Sequence, residues 1–255
     1  MNSHCVTLWI GNQLGAVERA CLLSVLRHGH TLALYCYHPP RGVPQGVELR
    51  DASEILSERQ VFRQPDGSVA AFSDWFRYKL LQRGLGTWVD TDLYLLRPLD
   101  SEAAYLFGEE EPGVINNAVL RVPPDSPLLG PLIDVFEQGK VPPWLHWRTY
   151  IRTRARMVAA GRLDLSLLPR GVAGPVGVTT VARKLGLASQ ALPSDVFHPV
   201  PWAKAEWILD PNTVLEDVIT QRTVAVHLWN EMIKGFKDDP APSGSFLERL
   251  QREGQ

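Results

Sequence analysis

Short apolar runs alternate with amphipathic stretches through the first half of the chain. Residues 5–10 (Cys-Val-Thr-Leu-Trp-Ile) form a compact apolar run that predicts a buried strand, broken by Gly11-Asn12. Leu14, Val17, Cys21 and Val25 recur at helical spacing, which predicts a helix over 14–27 that Gly29 closes. Residues 31–37 predict a second strand, stopped by Pro39-Pro40, and 46–50 a third. A helix is predicted over 70–82, ended by Gly84 and Gly86, after which 87–89 run as a strand into Asp90. Residues 105–107 and 114–122 predict further strands. Strand alternating with helix is the pattern of an α/β fold, a mainly parallel central sheet flanked by helices.

The second half is less regular. Helices are predicted over 128–138 and 144–160, a glycine-rich loop over 171–177, and a helix over 179–187. Pro193, Pro199, Pro201 and Pro211 divide the next stretch into loops, before a last strand over 223–228 and a helix over 245–252. With 255 residues, no internal repeat and no clean linker, a single domain is expected, 1–122 carrying the strand-helix alternation and 123–255 the later segments.

Charge and cysteine content narrow the class. A net charge of −2 gives no global field toward nucleic acid, so no nucleic-acid partner is expected. Cys5, Cys21 and Cys36 are odd in number and fit no metal spacing, which predicts buried free thiols. No secretory leader pattern and no membrane-length apolar run is visible, so a cytoplasmic protein is expected, with peripheral membrane attachment left open.

The chemistry concentrates at Asp90-Thr91-Asp92. In α/β sheets ligands gather beyond the carboxyl ends of strands. On extended backbone, residues i and i+2 point the same way, so both carboxylates are expected to reach one hard cation, Mg²⁺ or Mn²⁺. The bare triplet also fits a solvated turn. Asp74 and Arg77, three apart on the predicted helix, either hold a sugar and its diphosphate or form a surface ion pair.

Ser73-Asp74-Trp75-Phe76-Arg77-Tyr78, followed by Gly86-Thr87-Trp88-Val89-Asp90-Thr91-Asp92, resembles the sugar-binding region with DXD motif of glycosyltransferase family 32. That family includes bacterial capsule and lipopolysaccharide sugar transferases and α-1,4-galactosyltransferases. The catalytic domain of the large clostridial glucosylating toxins is a distant relative. Leu8-Trp9-Ile10-Gly11, Asn116-Asn117-Ala118, Gly174-Pro175 and Val226-His227-Leu228-Trp229-Asn230 extend the likeness from about Leu8 to Asn230.

The resemblance implies a GT-A fold and a retaining hexosyl transfer in polysaccharide biosynthesis. The donor is a nucleotide-sugar, UDP-linked by preference, with Mn²⁺ or Mg²⁺, and the acceptor a glycan or glycolipid. It implies that residues 1–122 bind the nucleotide-sugar and 123–255 supply the acceptor side and a closing segment. By the same resemblance Trp9 stacks the base, with main-chain contacts from Ile10 and Gly11. Ser73 binds ribose, Asp74 and Arg77 hold the sugar, and Asn117 lines the donor sugar. Asp90 touches ribose or metal, and Asp92 is the main metal ligand. Trp229 and Asn230 close over the donor, and His227 is either a third metal ligand or a buried histidine bonded to backbone. The family usually has two glycines before the aromatic leading into DXD; Leu85 stands at the first of them, and it lacks glycine's freedom at positive φ.

Two features keep other readings open. Residues 141–163 carry Arg148, Arg152, Arg154, Arg156 and Arg162 and no acid. This segment is either a core-packed helix with a solvated face or a basic amphipathic helix at an anionic membrane, giving peripheral contact through 144–162 at the inner face. A toxin-like transferase acting on protein is disfavoured by the short chain and the lack of a delivery segment. A binding protein without turnover is the third reading, and Leu85 is its only hint.

Overall fold

Four of the predicted apolar runs become parallel strands of one sheet. The computed structural model describes residues 2–138, 141–159, 164–169 and 171–255. In chain order the elements are β1 (His4–Trp9), α1 (Ala16–Arg27), β2 (Thr31–Cys36), β3 (Val47–Asp51), α2 (Ala70–Gln82), β4 (Thr87–Val89), β5 (Leu93–Leu95), β6 (Leu106–Glu111) and β7 (Val114–Arg121). Then follow α3 (Leu129–Glu137), α4 (Trp147–Ala159), α5 (Pro175–Lys184), α6 (Leu215–Val218), β8 (Ala225–His227), α7 (Asn230–Ile233) and α8 (Phe246–Glu253).

The main sheet has the order β3-β2-β1-β4-β7-β6. β1 pairs in parallel with β2 and β4, and β2 with β3; β7 and β6 add an antiparallel edge. This is an α/β architecture with a mostly parallel mixed sheet, compatible with a GT-A fold. β5 and β8 form a separate antiparallel pair with Leu93 opposite His227.

The central strands β1, β2 and β4 are buried on both faces, so their side chains alternate between two apolar cores rather than between core and water. Val6, Leu8, Ala33 and Tyr35 join a core with Phe72, Phe76 and Tyr78 of α2, Leu132 of α3 and Val178 of α5. Cys5, Leu32 and Leu34 join a second with Leu22 and Val25 of α1. α8 then packs on α1, burying Leu247 and Leu250 completely. The three cysteines are free and buried, and burial pushes the Cys5 thiol up to about 12.

Two expectations need correction. The helix expected over 179–187 begins at Pro175, because proline suits a first helical turn and Gly177 does not break it. A Cβ on Gly177 would lie 2.7 Å from the Val172 carbonyl oxygen, so this glycine serves close packing inside the helix. β5 has no counterpart in the predicted strands; three residues give too short a run to separate from a turn. Leu85 does not take a positive φ. The left-handed positions are Gly84 (φ 67°) and Gly86 (φ 141°), and a Cβ on Gly86 would meet the His4 carbonyl oxygen at 2.7 Å.

The helix expected over 144–160 starts at Trp147, past Pro142-Pro143, and its expected end, with Arg162, lies outside the described residues. Among the described residues no helix is long and apolar enough to cross a membrane.

Candidate active site

β2 and β3 lie on one side of β1, and β4 on the other, so the chain order reverses between β1 and β4. Ligand crevices of open α/β sheets form at such a switch point, beyond the carboxyl ends of the strands. A cleft of about 590 Å³ opens there, between Trp9 at the end of β1 and Asp90 just after β4. Its wall includes Trp9, Ile10, Ser73, Asp74, Arg77, Asp90, Asp92, Asn117, His227, Trp229 and Asn230. Of the site residues expected from sequence only Gly11 lies elsewhere, in an adjoining hollow of about 370 Å³ that shares Trp9 and Ile10 with the cleft. A Cβ on Gly11 would stand 3.0 Å from the Trp9 indole nitrogen, so glycine there leaves the indole its place.

The two aspartates do not meet by extended-strand alternation. Asp90 keeps one ladder bond, its N–H donating to the Ala118 carbonyl at 2.8 Å. The backbone then turns, with Leu93 N–H donating to the Asp90 carbonyl at 3.2 Å, and enters β5. The turn, rather than a period of two, brings the carboxylates together, because the chain leaves one sheet for the other between them.

α2 supplies a buried cation to this corner. The Arg77 guanidinium donates to Asp90 Oδ1 at 3.0 Å and to the Asn117 carbonyl at 2.5 Å. It lies 4.6 Å over the Trp88 ring, whose N–H also donates to Asp90 Oδ1 at 2.6 Å. Arg77 Nε is 3.7 Å from Asp74 Oδ1, and both side chains are buried, so the Asp74–Arg77 pair is not a surface ion pair. Asp74 Oδ1 accepts from the Asn117 carboxamide at 2.9 Å. Gly174, at the start of α5, leaves room for this carboxylate, since a Cβ there would lie 3.0 Å from Asp74 Oδ2. Burial raises Asp74 to about 6, against the lowering effect of Arg77 and Asn117. Burial also raises Asp90, opposed mainly by Arg77.

The C-terminal segment supplies the opposite wall. His227 Nε2 stands 3.3 Å from Asp92 Oδ2. The Asn230 N–H donates to the same oxygen at 2.6 Å. Burial works to raise Asp92, but His227 and the Asn230 amide outweigh it and hold the carboxyl at about 2. Asn230 therefore acts on Asp92 through its backbone; its side-chain oxygen accepts from Lys237 at 2.5 Å, and Lys237 also bonds Glu18 of α1. Trp229 is the one non-glycine with positive φ (59°) among the described residues, an expensive conformation for a bulky side chain that tends to mark functional positions. Its indole N–H donates to the Val200 carbonyl at 2.8 Å.

The donor set fits a hard divalent cation. Asp90, Asp92 and His227 each offer one ligand atom, all within 4.8 Å of one another. Two neighbouring ligands around an octahedral ion at roughly 2.1 Å sit roughly 3 Å apart, close to the 3.3 Å between His227 Nε2 and Asp92 Oδ2. A charge-assisted hydrogen bond would be shorter, about 2.7–2.9 Å. Among the described residues the His227 ring makes no backbone bond, and its buried Nδ1 has no partner.

Sequence reasoning missed several groups here. Trp202, 54% exposed, forms part of the cleft wall, and nothing in its proline-rich loop marks it as such. Glu110 sits in an acidic run that reads as solvated. The β6–β7 register slips between Glu109 and Glu111, and Glu110 accepts from the cleft-lining Asn116 at 2.6 Å. His198 is buried against His227 and Trp229, with ring centroids at 5.3 and 5.4 Å, and burial beside His227 lowers it to about 3.

Residues 173–253 match the alpha 1,4-glycosyltransferase conserved region. The match covers less than half of the chain, from the N-terminus of α5 through α8, and so includes His227, Trp229 and Asn230 but not the two aspartates. It supports glycosyl transfer as the chemistry of this chain. No curated protein matches the chain by sequence.

Proposed function

We propose that this protein is a metal-dependent, retaining glycosyltransferase that moves a hexose from a nucleotide-sugar, UDP-linked by preference, to a glycan or glycolipid acceptor. The observation that carries this reading is the convergence of Asp90, Asp92 and His227 at the switch-point cleft. The family match in the C-terminal part supports the transferase chemistry independently.

Asp92 and His227, with Asp90, would hold Mn²⁺ or Mg²⁺, which when bound supplies charge neutralisation for the departing diphosphate. Arg77 fixes Asp90, and the Asn230 amide fixes Asp92, so the carboxylates are oriented before any ligand arrives. Asp74, held by Asn117, accepts from hydroxyls of the donor sugar. Trp9 offers an aromatic face to the base, and Ser73, on the wall of the same cleft, serves the ribose. Trp229 limits water at the reacting carbon. In the transfer, the acceptor oxygen bonds to the anomeric carbon on the face from which the diphosphate oxygen departs. The acceptor proton passes to that departing oxygen, so no enzyme nucleophile is needed.

The decisive assay incubates the protein with Mn²⁺ and a panel of UDP- and GDP-hexoses and follows nucleotide release. Release with one donor, abolished by Asp92→Ala at unchanged circular dichroism, is the expected result. Full activity of Asp92→Ala would sink the metal role. Mass spectrometry of a glycosyl adduct on the enzyme would sink same-face transfer.

A further inference from the structure

α4 buries only a narrow strip. Thr153 and Met157 face the protein, while Trp147, Ile151 and Val158 are 60%, 58% and 72% exposed. At 3.6 residues per turn these three exposed side chains fall within about 40° of arc and make one stripe. Arg154 lies beside the stripe on one side and Arg148 about 60° beyond it on the other, with Arg152 and Arg156 farther round on the face away from it. All four arginines are exposed, and α4 contains no acidic residue. The Arg148 guanidinium lies 5.2 Å over the Trp147 ring, at the edge of the stripe rather than away from it.

The arginines require an anionic partner, and the stripe requires one with an apolar interior. A soluble glycan meets the first requirement alone, and a protein partner would have to match an apolar centre and an acidic rim in one patch. We infer that α4 lies on an anionic lipid bilayer, with Trp147, Ile151 and Val158 at the level of the acyl boundary and Arg148 and Arg154 beside them among the headgroups. The surrounding structure suits this. α4 packs on the short turn at Leu165–Leu167, and the Trp144 indole N–H just before the helix donates to the Val172 carbonyl at 2.8 Å. The helix is thus fixed to the segment that carries Gly171 and Pro175 into the cleft wall. This inference rests on the surface of α4 and not on the reading of the cleft.

The test is co-sedimentation of the full chain with neutral phosphatidylcholine vesicles and with vesicles containing phosphatidylglycerol. Binding to the anionic vesicles, weakened by salt, is expected. Each arginine at such a surface contributes about fivefold (about 1 kcal/mol), so the Arg148→Gln/Arg154→Gln variant falls on the order of 25-fold. Trp147→Ser/Ile151→Ser also weakens binding. Circular dichroism melting confirms that both variants fold, and substitution at these exposed positions leaves the core untouched. Equal binding to neutral vesicles, binding that survives the arginine changes, unchanged binding of the Trp147→Ser/Ile151→Ser variant, or a dimer in light scattering with no vesicle binding each overturns the proposal.

Discussion

Arg77 governs the charge balance of the cleft. It is buried, touches Asp90 and the Asn117 carbonyl, stacks on Trp88 and faces Asp74, so one guanidinium serves four neighbours. Removing one partner of a buried pair leaves an uncompensated charge and costs about 3–5 kcal/mol. Arg77→Met is therefore expected to lower the melting temperature by roughly 6–20 °C, given about 2–4 °C per kcal/mol at this chain length. Arg77→Lys restores little, because an ammonium lacks the planar fork that reaches two acceptors at once. Asp74 carries the complementary prediction. Its folded pKa of about 6 lies above the ordinary 3.8, so between those values the folded state binds more protons than the unfolded chain. Its contribution to stability accordingly falls as pH rises through that window. On the proposed role of Asp74, activity runs the opposite way, since only the carboxylate accepts from sugar hydroxyls at both oxygens. The acid limb of the profile of kcat/KM against pH is expected near 6 and is expected to disappear in Asp74→Asn; an unchanged limb would exclude Asp74 as its source.

At the scale of elements, the parallel strands and α1 and α2 were legible because apolar runs and helical spacing survive burial on both faces. β5 and the turn before it were not, since three residues carry no period, and the convergence of Asp90 with Asp92 depends on that turn. The residues of the cleft were readable from motif resemblance, while their partners were not: Glu110 needed a slipped hairpin register, and Lys237 needed a contact with Glu18 more than two hundred positions away. Trp202 shows the same limit. It opens a 3₁₀ segment, Trp202–Leu209, after Pro201, and keeps half its indole in solvent at the cleft wall. An exposed indole face is a platform for a sugar ring, and it lies outside the clustered aspartates proposed to serve the donor. Trp202→Ala is expected to raise the acceptor KM about tenfold, a loss of about 1.4 kcal/mol, while the donor KM stays near its wild-type value. A change confined to the donor KM would place the indole on the other side of the reaction.

For the whole molecule, the candidate ion site matters because it joins two sheets that hydrogen-bond to different partners. Asp90 leaves β4 of the six-stranded sheet, whereas His227 belongs to β8 of the two-stranded pair, and Asp92 lies in the turn that leads from β4 into β5. The two-stranded pair is otherwise tied down through the C-terminal core: Tyr94 of β5 meets the Phe246 ring edge-on at 5.6 Å, Phe246 stacks on Trp207 at 5.0 Å, and α8 packs on α1. A cation bound by all three ligands adds a direct link between the sheets, present in the folded state and absent from the unfolded chain. Binding to the native state alone stabilises by about 2.7 kcal/mol when the free ion is at a hundredfold excess over Kd. That corresponds to a rise of roughly 5–11 °C in melting temperature for a chain of this size. Mn²⁺ is expected to produce this shift in wild-type protein and EDTA to reverse it. Asp92→Ala and His227→Ala should each remove the shift, because each deletes a ligand from a different side of the junction. If His227→Ala retains the full shift, the ion is held by the aspartate turn alone and β8 is not part of the site.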